Sequence, residues 1–427
     1  MDLSGLSLAG APAYLWHRLP LLLLFAGGYL VYRLLAVTKL TDTFVDRALA
    51  RSGSGQMQPG GGAGRLLLFI MLAAALLSLF LPNAVTVLAM LPALKAVDAE
   101  LSRRHGPGAM TTALALAVIY GANIGGMGSL IGSPANLMLV GALDLFQVPG
   151  REAITFLSWM AWAAPLAALL LAVAWGLAIL AVPRRLRRGG KLLAPRHPRE
   201  LTPWQRSGLK LFVLFVLFWA GSGLAREAWA GYARLEPAVA SGFFLFFVFL
   251  LFFRGGPPCQ GLSCPLLRPA DVFSGLPLRG LGLLAVLGLV VLVARHFRLD
   301  EQAAGLFGYV AEAGLPPLVF TFALLLAVVL LTEAFSNTIV AAAFFPLAFF
   351  AAGESALAPL PLMIGVSIAS TCAFMTPVAT PCNALAFGEL RGVRLSVMLG
   401  LGLLLNLAGA AFMALWVRYV VAWVYAA

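Results

Sequence analysis

Long apolar stretches, several of them interrupted in the middle, constrain this chain more than any other feature. Residues Ala163–Val182 run without a charged, amide or hydroxyl side chain, apolar on every face of a helix, and about 20 such residues cross roughly 30 Å of hydrocarbon. Similar blocks lie at about 14–37, 64–97, 109–145, 153–183, 207–224, 236–254, 277–297, 317–352, 358–390 and 394–425. With 61% hydrophobic and 11% charged residues among 427, and a mean hydropathy of +0.95, the chain is no water-soluble globule. Outer-membrane barrels are excluded as well, because their strands alternate apolar and polar residues. The expected fold is an all-α polytopic membrane protein. The first block, Leu19–Val37, ends without a small-residue cleavage pattern and reads as a span rather than a signal peptide.

The interruptions decide the architecture. Blocks 64–97 and 317–352 are broken at Pro82-Asn83 and at Ser336-Asn337-Thr338; one helix of about 35 residues would overshoot the bilayer by some 20 Å. Two re-entrant hairpins, each with a polar tip near the midplane, fit the length. Blocks 109–145 and 358–390 are broken at Gly125–Asn136 and Thr376–Asn383, and unwound backbone at membrane depth survives only inside protein or along a cavity. The pattern is duplicated: Asn83 and Asn337 each precede a proline by nine residues (Pro92, Pro346) and follow a hydroxyl by five (Ser78, Thr332). Gly132-Ser133-Pro134-Ala135-Asn136 likewise matches Ala379-Thr380-Pro381-Cys382-Asn383, and a short amphipathic stretch precedes each hairpin, Leu40–Arg51 and Leu299–Glu312. The organisation read from this is a first repeat at 1–183 (span, hairpin 64–97, broken helix 109–145, span 153–183), a basic cytoplasmic linker at 184–206, and a second repeat at 207–427. The second repeat holds three spans, hairpin 317–352, broken helix 358–390 and span 394–425.

Counting crossings, with the hairpins returning to their own side, leaves Arg18, Arg151, Arg226, Arg234, Arg295, Arg298 and Arg418 on one side and the other 22 of the 29 Lys and Arg on the opposite one. The crowded side is cytoplasmic by the positive-inside rule, so both termini are expected to be extracytoplasmic and the protein to lie in a bacterial inner membrane. This accounts for the net charge of +12 without a nucleic-acid partner. The first hairpin then enters from the cytoplasm and the second from outside. Inverted repeats with broken helices meeting at the midplane mark a secondary transporter.

No Lys, Arg or His lies near a break. Half-helix N-termini can hold an anion through free N–H groups and the positive dipole end. Helix carbonyl ends and the amide oxygens of Asn83 and Asn337 can ring a small cation such as Na⁺; prolines as simple kinks and asparagines as caps are the alternative. Midplane acids, usual in proton-coupled carriers, are missing from the first half. Glu333 reads as a buried partner for backbone or a neighbouring helix, and secondarily as tuning a cation site. Asp144 and Glu152, at span ends, read as solvated. The four cysteines read as incidental, with a metal site at Cys259 and Cys264 the lesser reading. His17, His105, His197 and His296 all lie outside the apolar cores, so no nucleophile–base or metal set points to an enzyme.

Three segments, Thr332-Glu333-Ala334-Phe335-Ser336-Asn337-Thr338, Ala373–Ala384 and Gly125–Asn136, together with Phe156–Met160, resemble the divalent-anion/sodium symporter family of sodium-coupled dicarboxylate, citrate and sulfate carriers. The likeness runs from about residue 20 to the end. It implies a substrate site of Asn83, Ser133, Pro134, Asn337, Thr338, Thr380 and Pro381. It also implies one Na⁺ held by Ser78, Asn83 and Gly132 and another by Thr332, Asn337 and Ala379. Two departures stand out: the first tip reads Pro82-Asn83-Ala84 where the family pattern is Ser-Asn-Thr, and one span rather than several precedes the first hairpin. The resemblance further implies a homodimer in membrane lipid, transporting a small di- or tricarboxylate or sulfate-like anion with Na⁺ by alternating access. An anion exchanger of the same fold, an arsenite-efflux or Na⁺/H⁺ antiporter relative, and a non-transporting scaffold are the alternatives.

Overall fold

The computed structural model describes residues 11–53, 62–187, 200–229, 231–259, 262–273, 316–354 and 357–425. The expected span at 277–297 and the amphipathic stretch Leu299–Glu312 lie outside them. Among the described residues, five helices are long and apolar enough to cross a membrane: Leu15–Val37, Phe156–Leu180, Pro203–Ala228, Tyr232–Arg254 and Leu395–Val424. Apart from a two-residue pairing of Pro258–Cys259 with Leu262–Ser263, the regular structure among these residues is helical.

The interrupted blocks are pairs of shorter helices. Gly62–Ser78 is followed by Asn83–His105, Thr111–Met127 by Pro134–Leu145, Pro317–Leu331 by Asn337–Glu354, and Pro359–Ser370 by Pro381–Glu389. Proline starts four of these helices, two of them restarts after a break (Pro134, Pro381) and two of them first members (Pro317, Pro359); at that position the missing N–H costs nothing and φ is already helical. The first members have 17, 17, 15 and 12 residues, each short of the length a crossing needs.

Two breaks differ from the sequence expectation. Gly125 and Gly126 are helical, and the first unwinding begins only at Gly128. Gly125 is a contact residue rather than a hinge, since a Cβ there would stand 2.3 Å from the Ala75 carbonyl oxygen; its absence lets helices Gly62–Ser78 and Thr111–Met127 pack closely. The second break, by contrast, starts five residues before Thr376, because the helix ends at Ser370 and the chain stays unwound to Thr380.

The chain divides into two compact units. One comprises residues 1–40, 155–158 and 200–276; there helix Ala11–Val37 packs on Pro203–Ala228 and Tyr232–Phe249, with Phe218 stacked on Phe243 at a ring separation of 3.6 Å. Thr202 and Gln205 close a reciprocal cap at the start of one of these helices. Cys264, also in this unit, is disulfide-bonded, which corrects the reading of it as incidental; Cys372 and Cys382 are buried free thiols. The other unit, residues 41–154, 159–199 and 277–427, holds all four broken pairs. Asp144, read as solvated, is in fact four-fifths buried and paired with Arg151 at 3.3 Å, because the turn after Leu145 folds the arginine back over it.

Candidate functional site

The two tips are built alike. At the first, Ser78 ends one helix and Asn83 begins the next, and the Ser78 hydroxyl donates to Asn83 Oδ1 at 3.1 Å, with the Thr86 hydroxyl oxygen 3.2 Å away. At the second, Thr332 follows one helix and Asn337 begins the next, with Thr332 Oγ1 3.0 Å from Asn337 Oδ1 and 3.0 Å from the Ser370 carbonyl oxygen. Ser78 and Thr332 are fully buried. Asn83 and Asn337 are partly exposed, as groups meeting a mobile ligand need to be.

Gly132 sits against the first tip. A Cβ there would lie 2.6 Å from the Gly126 carbonyl oxygen and 2.8 Å from that of Ser78, and a Cβ on Gly126 would lie 2.6 Å from Asn83 Oδ1. Ser78, Asn83 and Gly132 therefore come together in space, and hydroxyl, amide and carbonyl oxygens converge there without a formal charge. Such a set suits a hard monovalent cation held by oxygens. Ala379, proposed as the Gly132 counterpart, is buried next to the Thr380 cap.

Ser133 and Thr380 are helix caps. Ser133 Oγ accepts from the Ala135 amide at 3.3 Å; Thr380 Oγ1 accepts from the Asn383 amide at 3.2 Å and donates to Asn383 Oδ1 at 2.9 Å. Pro134 and Pro381 are exposed at the first helical position. Thr338 lies in the first turn after the second tip, half-buried. Every helix N-terminus leaves backbone N–H groups without a partner in the helix; Ser133 and Thr380 take up one each, and donors of this kind suit an anion where the sequence places no Lys, Arg or His near the breaks.

Asn123 was not singled out by the sequence, and Asn136 and Asn383 only as members of the duplicated motif. Asn123, fully buried on helix Thr111–Met127, accepts from Asn83 Nδ2 at 3.0 Å and donates to Asn383 Oδ1 at 3.1 Å and to the Ala373 carbonyl at 2.8 Å. One amide thus ties the first tip to the second unwound segment. Asn136 accepts from Ser367 at 2.9 Å, a second link between the halves. The duplication is the signal that could have found them: Ser78 with Thr332, Leu79 with Glu333 and Asn83 with Asn337 stand 254 apart in the sequence, while Asn123 with Ser370, Ser129 with Thr376 and Asn136 with Asn383 stand 247 apart. The hydrogen bonds repeat at those offsets. Ser129 donates to the Leu79 carbonyl as Thr376 does to that of Glu333, and Asn136 Nδ2 donates to the Ser129 carbonyl as Asn383 Nδ2 does to that of Thr376.

Glu333 breaks the likeness. Its carboxylate, 6% exposed, accepts from the backbone amides of Phe374 and Met375 at Oε1 and of Thr376 at Oε2, at 2.7, 2.8 and 2.8 Å, and from Asn406 Nδ2 at 2.7 Å. Both oxygens are thereby committed to holding the unwound segment, which matches the reading of this acid as a partner for backbone. Those three amides are the donors that a continued helix would have directed to its own carbonyls, and this is why the second break opens early.

A family model described as "Citrate transporter" matches residues 3–356. The sodium-dependent dicarboxylate transporter SdcS of Staphylococcus saprophyticus is 28% identical over 380 residues, covering 85% of this chain and 70% of that protein. SdcS of Staphylococcus aureus is 28% identical over 379 residues, 84% of this chain and 70% of that one. An uncharacterized transporter of Haemophilus influenzae is 28% identical over 395 residues, 91% and 78% of the two chains. Among solved structures, the Alcanivorax borkumensis YdaH transporter, described as having an unusual topology, aligns with a TM-score of 0.52 at 12% identity over 93% of this chain and 87% of that one, a likeness of fold alone.

Proposed function

As a member of the citrate transporter family, this chain is a multi-pass membrane carrier and not an enzyme, and we propose that it takes up a small di- or tricarboxylate or sulfate-like anion coupled to Na⁺. The observation that carries this reading is the repeated hydroxyl–asparagine pair, Ser78–Asn83 and Thr332–Asn337, with the same bond in both halves. The names of the SdcS relatives favour Na⁺ and a dicarboxylate.

In this reading Na⁺ binds first. Ser78, Asn83 and Gly132 hold one ion, and Thr332, Asn337 and Ala379 the other. Each ion draws a tip asparagine toward the backbone of the neighbouring break, and its charge offsets that of the incoming anion. The anion then spans the tips, taking donors from Asn83, Asn337 and Thr338 and from the helix starts capped by Ser133-Pro134 and Thr380-Pro381. Residues 1–183 and 207–427 form repeats of opposite orientation, and rocking of the site-bearing elements exposes them alternately to each face. The termini are extracytoplasmic, the membrane is the bacterial inner membrane, and a homodimer is the working assembly.

A second reading, anion exchange without Na⁺, is favoured by the first tip, where Pro82 and Ala84 replace the hydroxyl residues Ser336 and Thr338 of the second. Uptake of a panel of radiolabelled anions into proteoliposomes separates the two. Succinate, malate, citrate or sulfate accumulation that requires an inward Na⁺ gradient supports symport. Uptake indifferent to Na⁺ and driven by an opposing anion gradient establishes exchange, and transport of none of these anions overturns the substrate class.

A further inference from the structure

Away from the tips, a cleft of about 330 Å³ opens between the beginning of helix Gly62–Ser78 and the end of helix Phe156–Leu180, lined by Gly64, Arg65, Leu68, Trp175, Ile179 and Arg187 among others. Three observations give it a chemistry. The first is charge: two guanidinium groups enter one cleft, and neither is paired with a carboxylate among the described residues. Arg65 donates through Nη2 to the Arg51 carbonyl at 2.7 Å and lies over the Phe69 ring at 5.7 Å. Arg187 donates through Nε and Nη2 to the Val182 and Leu180 carbonyls, at 2.8 and 2.5 Å. A guanidinium carries five N–H donors, so these bonds orient the two groups and leave donors on both for an anion.

The second is depth. Phe156–Leu180 is a membrane-length helix and Arg187 follows its end, so the cleft lies where the hydrocarbon gives way to headgroups. Trp175 belongs at that level, and its indole N–H donates to the Gly64 carbonyl at 2.7 Å, fixing the two helices against each other. The third is the wall, since Leu68 and Ile179 line the cleft and are partly exposed, continuing its charged end into an apolar flank, as an acyl chain requires.

We propose that this cleft binds the phosphodiester headgroup of an anionic glycerophospholipid, with Arg65 and Arg187 on the phosphate and the Leu68–Ile179 flank against the first acyl methylenes. Basic pockets between membrane helices recognise such headgroups by charge, and guanidinium matches phosphate oxygens in a fork geometry that ammonium lacks. A soluble phosphate would use the two arginines but not the apolar flank. That flank is the reason for choosing the lipid.

The test is native mass spectrometry of the full-length protein in neutral detergent, titrated with phosphatidylglycerol, with phosphatidylcholine of the same chains, and with inorganic phosphate as competitor. The wild type is expected to retain phosphatidylglycerol selectively, and Arg65→Gln with Arg187→Gln to weaken that retention roughly 10- to 30-fold while leaving phosphatidylcholine unchanged. Ile179→Trp, which keeps both charges and fills the flank, is expected to lower it as well and serves if the arginine pair fails to fold. Arg103→Gln with Arg104→Gln removes the same charge elsewhere. An equal loss from that control would reduce the effect to general surface charge and overturn the site. Displacement of the lipid by millimolar phosphate, or binding undiminished in both cleft variants, would overturn it too.

Discussion

The two halves of the candidate site use one plan, and the sharpest of their differences is one acid. In the first, the residue after Ser78 is Leu79, and helix Thr111–Met127 runs four residues further, relative to its counterpart, before it unwinds. In the second, the residue after Thr332 is Glu333, whose carboxylate captures three consecutive backbone amides and ends the helix at Ser370. The first half compensates elsewhere: its tip lacks the hydroxyls of Ser336 and Thr338, but Asn123 stands where the second half has Ser370 and reaches across to Asn383. A duplicated scaffold can thus hold its second unwound segment by a charge and its first tip by an amide, and the halves need not be interchangeable.

The strongest way to break this comparison is at Asn337, whose side chain is proposed to serve both cation and substrate. Asn337→Ala should lower uptake at least about 100-fold, the loss of more than one hydrogen bond to charged groups, with expression and melting temperature near wild type. Normal transport by a folded variant would remove the two-tip site altogether.

Glu333→Gln comes next. It keeps the shape but turns one acceptor into a donor facing backbone N–H groups, and a bond to a charged acceptor contributes about 1.5–3 kcal/mol. Uptake should fall about 10-fold or more, and amide exchange at Phe374, Met375 and Thr376 should accelerate. Unchanged protection of those three amides would show that the acid does not define the early break.

Asn123→Ser, which installs the residue of the other half, probes the cross-link. Removing its bonds to Asn83 and Asn383 should weaken apparent Na⁺ affinity about 5-fold and lower the Na⁺ Hill coefficient, at roughly 1 kcal/mol for a neutral hydrogen bond. A simple loss of maximal rate with the Na⁺ dependence intact would assign Asn123 to packing alone.

The smallest effect is expected from making the tips alike. Pro82→Ser with Ala84→Thr restores two donors and should raise succinate and malate affinity about 3- to 10-fold, within what one such bond contributes. If both proteins fold and the affinities agree, the first tip does not meet the substrate.

Much of this was legible in the chain itself. Spans follow from the length of apolar runs, and the broken pairs from Pro82-Asn83, Pro134, Ser336-Asn337-Thr338 and Pro381 read together with their repeated spacing, because proline, polar tips and hydrocarbon act locally on whatever chain contains them. The pairing of Ser78 with Asn83 and of Thr332 with Asn337 was visible for the same reason: five residues separate each pair, and one turn of chain brings them together. Asn123, Asn406 and Ser367 were not, since an asparagine or serine within an apolar run is equally a cap, a contact or a ligand until its partner is known. Those partners are 260, 73 and 231 residues distant. Gly125 shows the same limit from the other side: glycine permits both a hinge and a close helix contact, and the Ala75 carbonyl that decides between them belongs to another helix. What the sequence determined alone was, among the described residues, where the apolar elements lie, where they break and that the breaks recur. The tertiary structure decided which buried polar groups meet, because a buried amide or carboxylate must find its hydrogen bonds wherever the fold supplies them.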